Sequence, residues 1–403
     1  MKDRLQALKT EFANVLEYNI LDYWLRHALD TVNGGFVGNV DYHNRADLHA
    51  PKGSVLNTRI LWAFSAAYRA FPKQAYLDAA QRAFEYLLEH FWDKENGGIV
   101  WSVDFQGNHL SARKQAYAQA FAIYGLGEYY TATGSMVALE KAKSIFLLIE
   151  QHCSDREHGG YIEALGAKWQ PIADVRLSDK DANEKKSMNT HLHVLEGYTN
   201  LARVWPEARV REALRDLIHI FLERIIDARH GHFNLFFDER WNARSALVSY
   251  GHDIEGAWLL EEAAQVYGDK NLLRQARDCS VRLVEAALEG LDADHGLMNE
   301  KNLASGHLDT DKHWWQQAEA LVGLLNAYEI TRNEKYLELF FNVWNFIKSR
   351  IIDFTNGEWR WKVDKAGAPN PEDEKIGFWK CPYHNSRACL EVITRLERLR
   401  EIK

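Results

Sequence analysis

Apolar residues recur at helical spacing along most of the chain, and a short glycine turn interrupts them six times. Before the second of these turns, Phe84, Leu87, Leu88 and Phe91 lie 3.6 residues apart on average, which is the pattern of a helix with one apolar face. Each turn pairs glycine with Asn, His or a second glycine, and apolar residues follow most of them, which is typical of a tight hairpin turn leading into a short strand. The turn glycines are Gly35, Gly98, Gly160, Gly231, Gly296 and Gly357.

A second kind of helix follows each turn. These segments are rich in small residues and apolar on all sides, which is typical of buried helices. Their predicted ranges are 54–71, 114–133, 187–204, 248–267, 312–331 and 380–398. Each repeat is therefore predicted to contain an outer helix, a hairpin turn and an inner helix. Six such repeats predict an all-α fold: an (α/α)6 barrel of twelve helices with short β-hairpins on one face, forming a single catalytic domain over 1–403.

The loops between turn and inner helix differ in length. The third repeat carries a polar insertion at 164–186, and the sixth carries a smaller one at 365–378. Insertions on one face of a repeat array usually mark the functional face, so we expect a binding site there.

The composition of the chain argues against several classes of binding partner. The chain has 49 Lys and Arg against 57 Asp and Glu, a net charge of −8, and no long basic run, which argues against nucleic-acid and anionic-membrane partners. No uncharged apolar run approaches the roughly 20 residues of a membrane span, and the first residues do not resemble a signal peptide. The four cysteines have no disulfide-framework spacing, which favours a cytoplasmic location. Whether the chain is a monomer or a homodimer stays open.

One polar or aromatic residue stands out near the start of each inner helix. Because every inner helix follows an outer helix of opposite direction, these six residues are expected to meet at one open end of the barrel. We call that end the mouth. The six are Arg59, Tyr117, His193, His252, Trp315 and His384.

This set of residues suits proton transfer next to a carbonyl group. A histidine titrates near pH ~6.5, so it can take and return protons at neutral pH. The helix N-termini at the mouth are expected to lower the histidine pKa values and, with Arg59, to stabilise an enediolate oxyanion. Two histidines on opposite sides of one carbon are what an epimerisation requires.

Three glutamates repeat one turn deeper. Glu196, Glu255 and Glu319 lie three or four residues after the mouth residues of their helices, which is spacing for the same helix face. We expect them to orient the histidines and to bind sugar hydroxyls. The alternative is a buried hydrogen-bond network that only fixes helix contacts.

Other candidates carry less weight. His191 is two residues from His193 and therefore points elsewhere, so a structural role is favoured. Trp379 lies on the inserted loop before the last inner helix, where it suits stacking against a sugar ring. Cys381, His384 and Cys389 could form a metal site, but the Cys-x-x-His spacing of the first two is a weak signal by itself, and no metal is predicted.

Several motifs together resemble one family. They are the segments at 188–196, 248–255, 314–319 and 379–385, with further likeness at 56–62 and 117–121. They are similar to the cellobiose 2-epimerases of the N-acylglucosamine 2-epimerase superfamily. That resemblance implies an (α/α)6 barrel that interconverts reducing-end glucose and mannose units of disaccharides such as cellobiose and lactose, without a cofactor.

The resemblance also implies roles for single residues. His252 and His384 would be the acid/base pair, with His193 and Arg59 at the carbonyl side. The residues expected to contact the sugar substrate are Tyr117, Asn189, Glu255, Trp315, Trp379, Asp181 and Glu319.

Alternatives remain open from the sequence. His193 argues against the N-acylglucosamine branch, but a mannose 2-epimerase or an aldose–ketose isomerase would have a similar mouth. A glycoside hydrolase would need two carboxylates such as Glu255 and Glu319, and would leave the histidines unexplained. A non-catalytic sugar-binding protein would need no histidine pair.

Overall fold

Thirteen α-helical segments build the part of the chain that this computed structural model describes, residues 2–401. In chain order they are α1 (Lys2–Asn14), α2 (Asp22–His27), α3 (Ser54–Ala70), α4 (Gln74–Tyr86), α5 (Ala116–Thr133), α6 (Met136–His152), α7 (Met188–Val204), α8 (Ala208–Ile220), α9 (Tyr250–Tyr267), α10 (Lys270–Ala287), α11 (Trp314–Thr331), α12 (Glu334–Phe346) and α13 (Tyr383–Glu401). A π-helical stretch, Val15–Leu21, joins α1 and α2 into one helix, so the helices number twelve over these residues. Shorter helical turns extend four outer helices: Leu87–Phe91, Phe221–Ile225, Leu288–Gly290 and Ile347–Ile351.

The inner helices form a closed ring. Consecutive members α3, α5, α7, α9, α11 and α13 contact each other, and α13 contacts α3. Each later outer helix packs on the inner helix before it in the chain, and α1 packs on α13. The predicted (α/α)6 barrel is confirmed.

The two helix types differ as their sequences predict. Outer helix α8 buries one stripe and exposes most of its other side chains, which is the amphipathic pattern; the buried residues are Val210, Ala213, Leu214, Leu217 and Ile218. Inner helix α7 is buried along almost its whole length. At Gly197 of α7 an added Cβ would lie 2.8 Å from the Ala120 carbonyl oxygen, so glycine allows α5 and α7 to approach closely. Among the described residues, no helix has both the length and the apolarity needed to cross a membrane.

Short strands link each repeat to the next. They are β1 (Asn39–Val40), β2 (Ala46–Asp47), β3 (Lys52–Gly53), β4 (Ser102–Val103), β5 (His109–Ser111), β6 (Lys114–Gln115), β7 (Ala164–Leu165), β8 (Lys186–Ser187), β9 (Phe236–Phe237), β10 (Leu247–Ser249), β11 (Glu300–Asn302), β12 (Leu308–Asp309), β13 (Lys312–His313) and β14 (Lys362–Val363). The strand before an inner helix pairs antiparallel with the strand after the next repeat's turn, as β3 does with β4 and β6 with β7. An isolated bridge between Val40 and Ile376 joins the last repeat to the first.

These pairings correct the predicted helix starts. The inner helices predicted from 114, 187, 248, 312 and 380 begin one to three residues later, because strands occupy the positions before four of them and an irregular turn precedes α13. The partner of each such strand lies about 50 residues further along the chain, so a local pattern does not reveal it.

Buried lysine–aspartate pairs fix the turns, a feature that the sequence reasoning missed. In the second repeat, Lys114 Nζ lies 2.7 Å from Asp93 Oδ2. Burial raises the pKa of Asp93, but hydrogen bonds from Lys114 and Asn96 prevail and lower it to about 2. The corresponding pairs are Lys52–Asp30, Lys186–Asp155, Lys312–Asp292 and Lys375–Asp353. The fourth repeat has Val248 instead, and there His232 Nδ1 lies 2.7 Å from Asp253 Oδ2.

Candidate active site

On one side of the mouth, Arg59, Tyr117 and His193 are in contact. The Arg59 guanidinium is buried and donates a hydrogen bond of 2.7 Å to the Tyr117 hydroxyl. The Tyr117 ring lies edge-on to the His193 ring, with centroids 4.8 Å apart. Arg59 also lies over the Phe121 ring at 4.2 Å, which leaves the cation in a mostly aromatic setting.

On the other side, Trp315 lies between two histidines. Its ring centroid is 4.8 Å from that of His252 and 5.6 Å from that of His384. The Tyr383 ring connects the two sides, since it lies 4.6 Å from His384 and 4.8 Å below the Arg59 guanidinium. The structure therefore brings all six predicted mouth residues to one end of the barrel.

Each mouth histidine has its Nδ1 atom held by one side chain. The bonded pairs are His193 with Glu196 Oε2 (2.9 Å), His384 with Glu319 Oε1 (2.7 Å) and His252 with Ser249 Oγ (2.8 Å). Within the described residues, no protein group bonds to their Nε2 atoms. A histidine whose Nδ1 is bonded and whose Nε2 is free of protein partners is oriented for proton transfer through Nε2.

The surroundings favour the neutral forms of His252 and His384. Burial lowers the pKa of His252 to about 3, with a further contribution from His193. Burial also lowers the pKa of His384 well below its usual value, and the charges of Arg59 and Arg387 act in the same direction. The direction was predicted, but burial is the largest cause, whereas the sequence argument relied on the helix N-termini.

A buried arginine that the sequence reasoning missed lies beneath the histidines. Arg387 Nη1 donates to Glu196, and Nη2 donates to Glu255 at 2.7 Å and to Glu319 at 2.6 Å. A signal was available, because Arg387 is a charged residue inside an apolar inner helix, three positions after His384. The guanidinium neutralises carboxylates that would otherwise be unpaired in the core.

Two of the three glutamates bond to a mouth histidine. Glu196 orients His193 of its own helix, as predicted. Glu319 pairs with His384 on the neighbouring helix. Glu255 bonds to Arg387 instead, and the histidine near its carboxylate is His384, at 3.8 Å.

Glu255, Glu319 and His384 also have the spacing of a possible metal site. One ligand atom from each lies within 4.8 Å of the others. However, Arg387 Nη2 already donates to both carboxylates, so the guanidinium supplies the cation at this position. Cys381 does not complete the set, because its Sγ contacts Arg59 Nη1 at 3.8 Å. The absence of a metal stays a prediction.

A pocket of about 130 Å³ opens beside His252 and is lined in part by the insertion of the third repeat. Asp181 of the insertion and Asn189 of α7 line it together with Ser249. Ser178 fixes Asp181 Oδ2 through its backbone N–H and its hydroxyl, each at 2.8 Å. Asn189 Oδ1 is buried without a hydrogen-bond partner among the described residues. The insertion thus extends the mouth on the His252 side.

Trp379 extends the mouth on the opposite side. Its ring lies 6.0 Å from Tyr117 and 6.0 Å from Trp101, and it is half-buried. The loop that carries it is anchored by Lys380, whose buried Nζ lies 2.8 Å from Glu358 Oε1.

His191 lies outside the mouth, and its contacts are structural. Its Nε2 accepts the Tyr161 backbone N–H at 2.9 Å, so its Nδ1 carries the proton donated to the Ser187 carbonyl at 2.7 Å. The preceding turn needs glycine, because Gly160 has a φ of +77° and an added Cβ would lie 2.6 Å from His191 Nε2. The structural role predicted for His191 is confirmed.

Several known proteins resemble this chain in sequence and in structure. Residues 34–388 match the N-acylglucosamine 2-epimerase (GlcNAc 2-epimerase) family. The chain is 47% identical to a cellobiose 2-epimerase of Bacteroides fragilis, over 96% of this chain and 99% of that protein. The structure of a cellobiose 2-epimerase from Bacillus thermoamylovorans superposes with a TM-score of 0.93 at 40% identity, covering 97% of this chain and 100% of that one. A D-mannose isomerase of Marinomonas mediterranea is more distant, at 22% identity over 85% of this chain and 86% of that protein.

A match over most of the length, together with relatives far above 30% identity, defines the class: the chain is a carbohydrate epimerase or isomerase built on an (α/α)6 barrel. It belongs to the N-acylglucosamine 2-epimerase family.

Proposed function

We propose that the protein is a disaccharide 2-epimerase that interconverts reducing-end glucose and mannose units of β-1,4-linked substrates such as cellobiose and lactose. The observation that carries this proposal is the pair of histidines, His252 and His384, on either side of Trp315 with each Nδ1 fixed and each Nε2 open. The names of the relatives at 47% and 40% identity support the same substrate class.

The reaction follows from the open Nε2 atoms. One histidine takes the proton from C2, and the electron pair moves toward the C1 carbonyl to give an enediolate. The other histidine, which carries a proton, delivers it to the opposite face of C2. In the reverse direction the two exchange roles, so both must tolerate the neutral and the protonated state.

Arg59 and His193 are proposed to stabilise the enediolate. Arg59 is held by Tyr117 and by aromatic rings, so its charge is oriented before the substrate binds. The Glu196 carboxylate accepts from His193 Nδ1 and favours the protonated imidazole, in which Nε2–H can donate at the same side. Preorganised donors of this kind stabilise a developing oxyanion without reorganisation during the reaction.

The disaccharide assignment rests on the surfaces beyond the mouth. The third-repeat insertion places Asp181 in the cavity that reaches His252, where its carboxylate can accept bonds from sugar hydroxyls. We propose that Asn189, Glu255 and Glu319 bind the reducing-end ring, and that Trp379 stacks against a sugar ring.

The other candidate functions would need different chemical steps or different groups in the site. An aldose–ketose isomerase would return the proton to C1 instead of C2 from the same enediolate, and a mannose 2-epimerase would need no second sugar subsite. A glycoside hydrolase is disfavoured because Glu255 and Glu319 both bond to one nitrogen of Arg387 and leave no open carboxylate pair.

Reaction in D₂O tests the chemistry. Cellobiose, lactose, glucose and mannose are incubated separately with the enzyme, and the products are resolved by chromatography and NMR. We expect cellobiose to yield its mannose-terminated epimer with deuterium at C2, because solvent exchanges with the histidine that delivers the proton. Product without C2 deuterium would contradict the two-histidine mechanism, and released glucose would indicate a hydrolase.

Asp181→Ala tests the second subsite. Loss of a charged hydrogen-bond acceptor is expected to lower kcat/KM for cellobiose by about 10-fold or more, while mannose or glucose turnover changes little. Asp179→Ala is the matched control, since Asp179 lies on the same insertion with a fully exposed side chain. Equal losses on both substrate sizes would instead indicate that the insertion closes over the reducing-end ring, and would favour the mannose 2-epimerase alternative.

A further inference from the structure

The partner of His252 differs in kind from those of the other two mouth histidines. His193 and His384 each bond to a carboxylate, whereas His252 bonds to the Ser249 hydroxyl. A carboxylate only accepts hydrogen bonds and stabilises an imidazolium by its charge, but a hydroxyl holds a ring nitrogen without a charge.

The position of Ser249 makes this contact unusual. Ser249 is the N-cap residue of α9, where a serine side chain normally accepts a backbone N–H of the first helical turn. Ser187, the N-cap of α7, does so by accepting the Thr190 N–H at 3.1 Å. Ser249 makes no such cap, and its hydroxyl faces His252 instead. The side chain is 5% exposed, so bulk solvent does not replace the contact.

The glutamate that could have taken this role is engaged elsewhere. Glu255 lies three residues after His252, the spacing at which Glu196 binds His193. Its carboxylate bonds to Arg387 instead. No charged group therefore bonds to His252 within the described residues, although Glu319 and His193 lie close enough to influence its pKa.

We propose that Ser249 is a positioning residue that orients His252 through an uncharged hydrogen bond and so favours the neutral imidazole in the free enzyme. The inference rests on the proposed role of His252 in proton transfer. It extends that role by explaining why one histidine of the pair lacks a carboxylate partner.

Substitutions at Ser249 test this role by kinetics and by titration. Ser249→Ala is expected to lower kcat/KM by about 10-fold, the effect of one lost hydrogen bond on the position of the imidazole. Ser249→Thr keeps the hydroxyl and should restore most of the activity. Ser249→Asp places a carboxylate beside Nδ1 and is expected to raise the pKa of His252, read from its imidazole NMR signals, by about one pH unit or more.

Ser135→Ala is the matched control, because it removes a serine hydroxyl that caps outer helix α6 and should lower thermal stability without changing the His252 titration. Wild-type kcat/KM in Ser249→Ala, or an unchanged His252 pKa in Ser249→Asp, would overturn the inference. If the Ser249→Ala variant does not fold, the kinetics of Ser249→Thr and the His252 titration in Ser249→Asp test the inference. Full activity of His252→Ala would instead overturn the proposed function, because that variant tests the histidine itself.

Discussion

Replacing either His252 or His384 with alanine is expected to lower kcat/KM by about 100-fold or more, as for a lost general acid or base. Each imidazole lies at the mouth with an open Nε2, and the two rings lie on either side of Trp315. The fold should persist, since both rings border the mouth and not the packed centre of the barrel. Steady-state kinetics with circular dichroism measures both outcomes.

Hydrogen exchange at C2 distinguishes the roles of the two histidines. With one base removed, the remaining one can still take a C2 proton and return a deuteron to the same face. We therefore expect each variant to exchange C2 of one epimer with D₂O without forming the other epimer, and the two variants to prefer opposite epimers. His219→Ala, an exposed histidine on α8, should leave activity unchanged. Near-normal turnover by a folded His252 or His384 variant would refute the assignment.

Replacing Arg387 with methionine is expected to destabilise the protein by about 3–5 kcal/mol, because it leaves three buried carboxylates without their shared cation. Activity should fall as well, since Glu319 would lose the contact that fixes it beside His384. Urea unfolding and steady-state kinetics measure the two effects. Arg395→Met is the control, because Arg395 is also buried on α13 but bonds to Asn326 and Glu329, away from the histidines.

The loss of stability in the Arg387→Met variant should depend on pH. Burial and the charge of Glu319 raise the pKa of Glu255 to about 8, and Arg387 opposes this rise. Without Arg387 the folded protein holds the Glu255 proton more tightly than the unfolded chain does, so stability falls as pH rises between the unfolded and folded pKa values. The variant should therefore be more destabilised at pH 8.5 than at pH 5.5, and a pH-independent difference would contradict this account.

The sequence predicted features that depend on local pattern. The inner helices and the mouth residues followed from apolar periodicity and from the position of each residue in its helix, and the inner helices lie within three residues of their predicted ranges. Pairing between helices was not predictable in the same way. That Glu319 bonds to His384 and not to a residue of α11 depends on the rotation of two neighbouring helices, which a single helical pattern does not specify.

Arg387 and Ser249 were missed for related reasons. The role of Arg387 appears only when three glutamates from three different helices meet around it. Ser249 precedes its helix, where a serine ordinarily indicates a cap. In both cases the residue type alone suggested a more common structural role.

The bridge between Val40 and Ile376 fixes the number of repeats. Because every repeat is hydrogen-bonded to the next and the last to the first, a repeat cannot be gained or lost without leaving two strands unpaired at the gap. Loops on the mouth side can instead change in length without breaking this ring, as the long loop 166–185 between β7 and β8 does. The helices beneath are constrained by neighbours on both sides, so we expect relatives to differ more in these loops than in the inner helices.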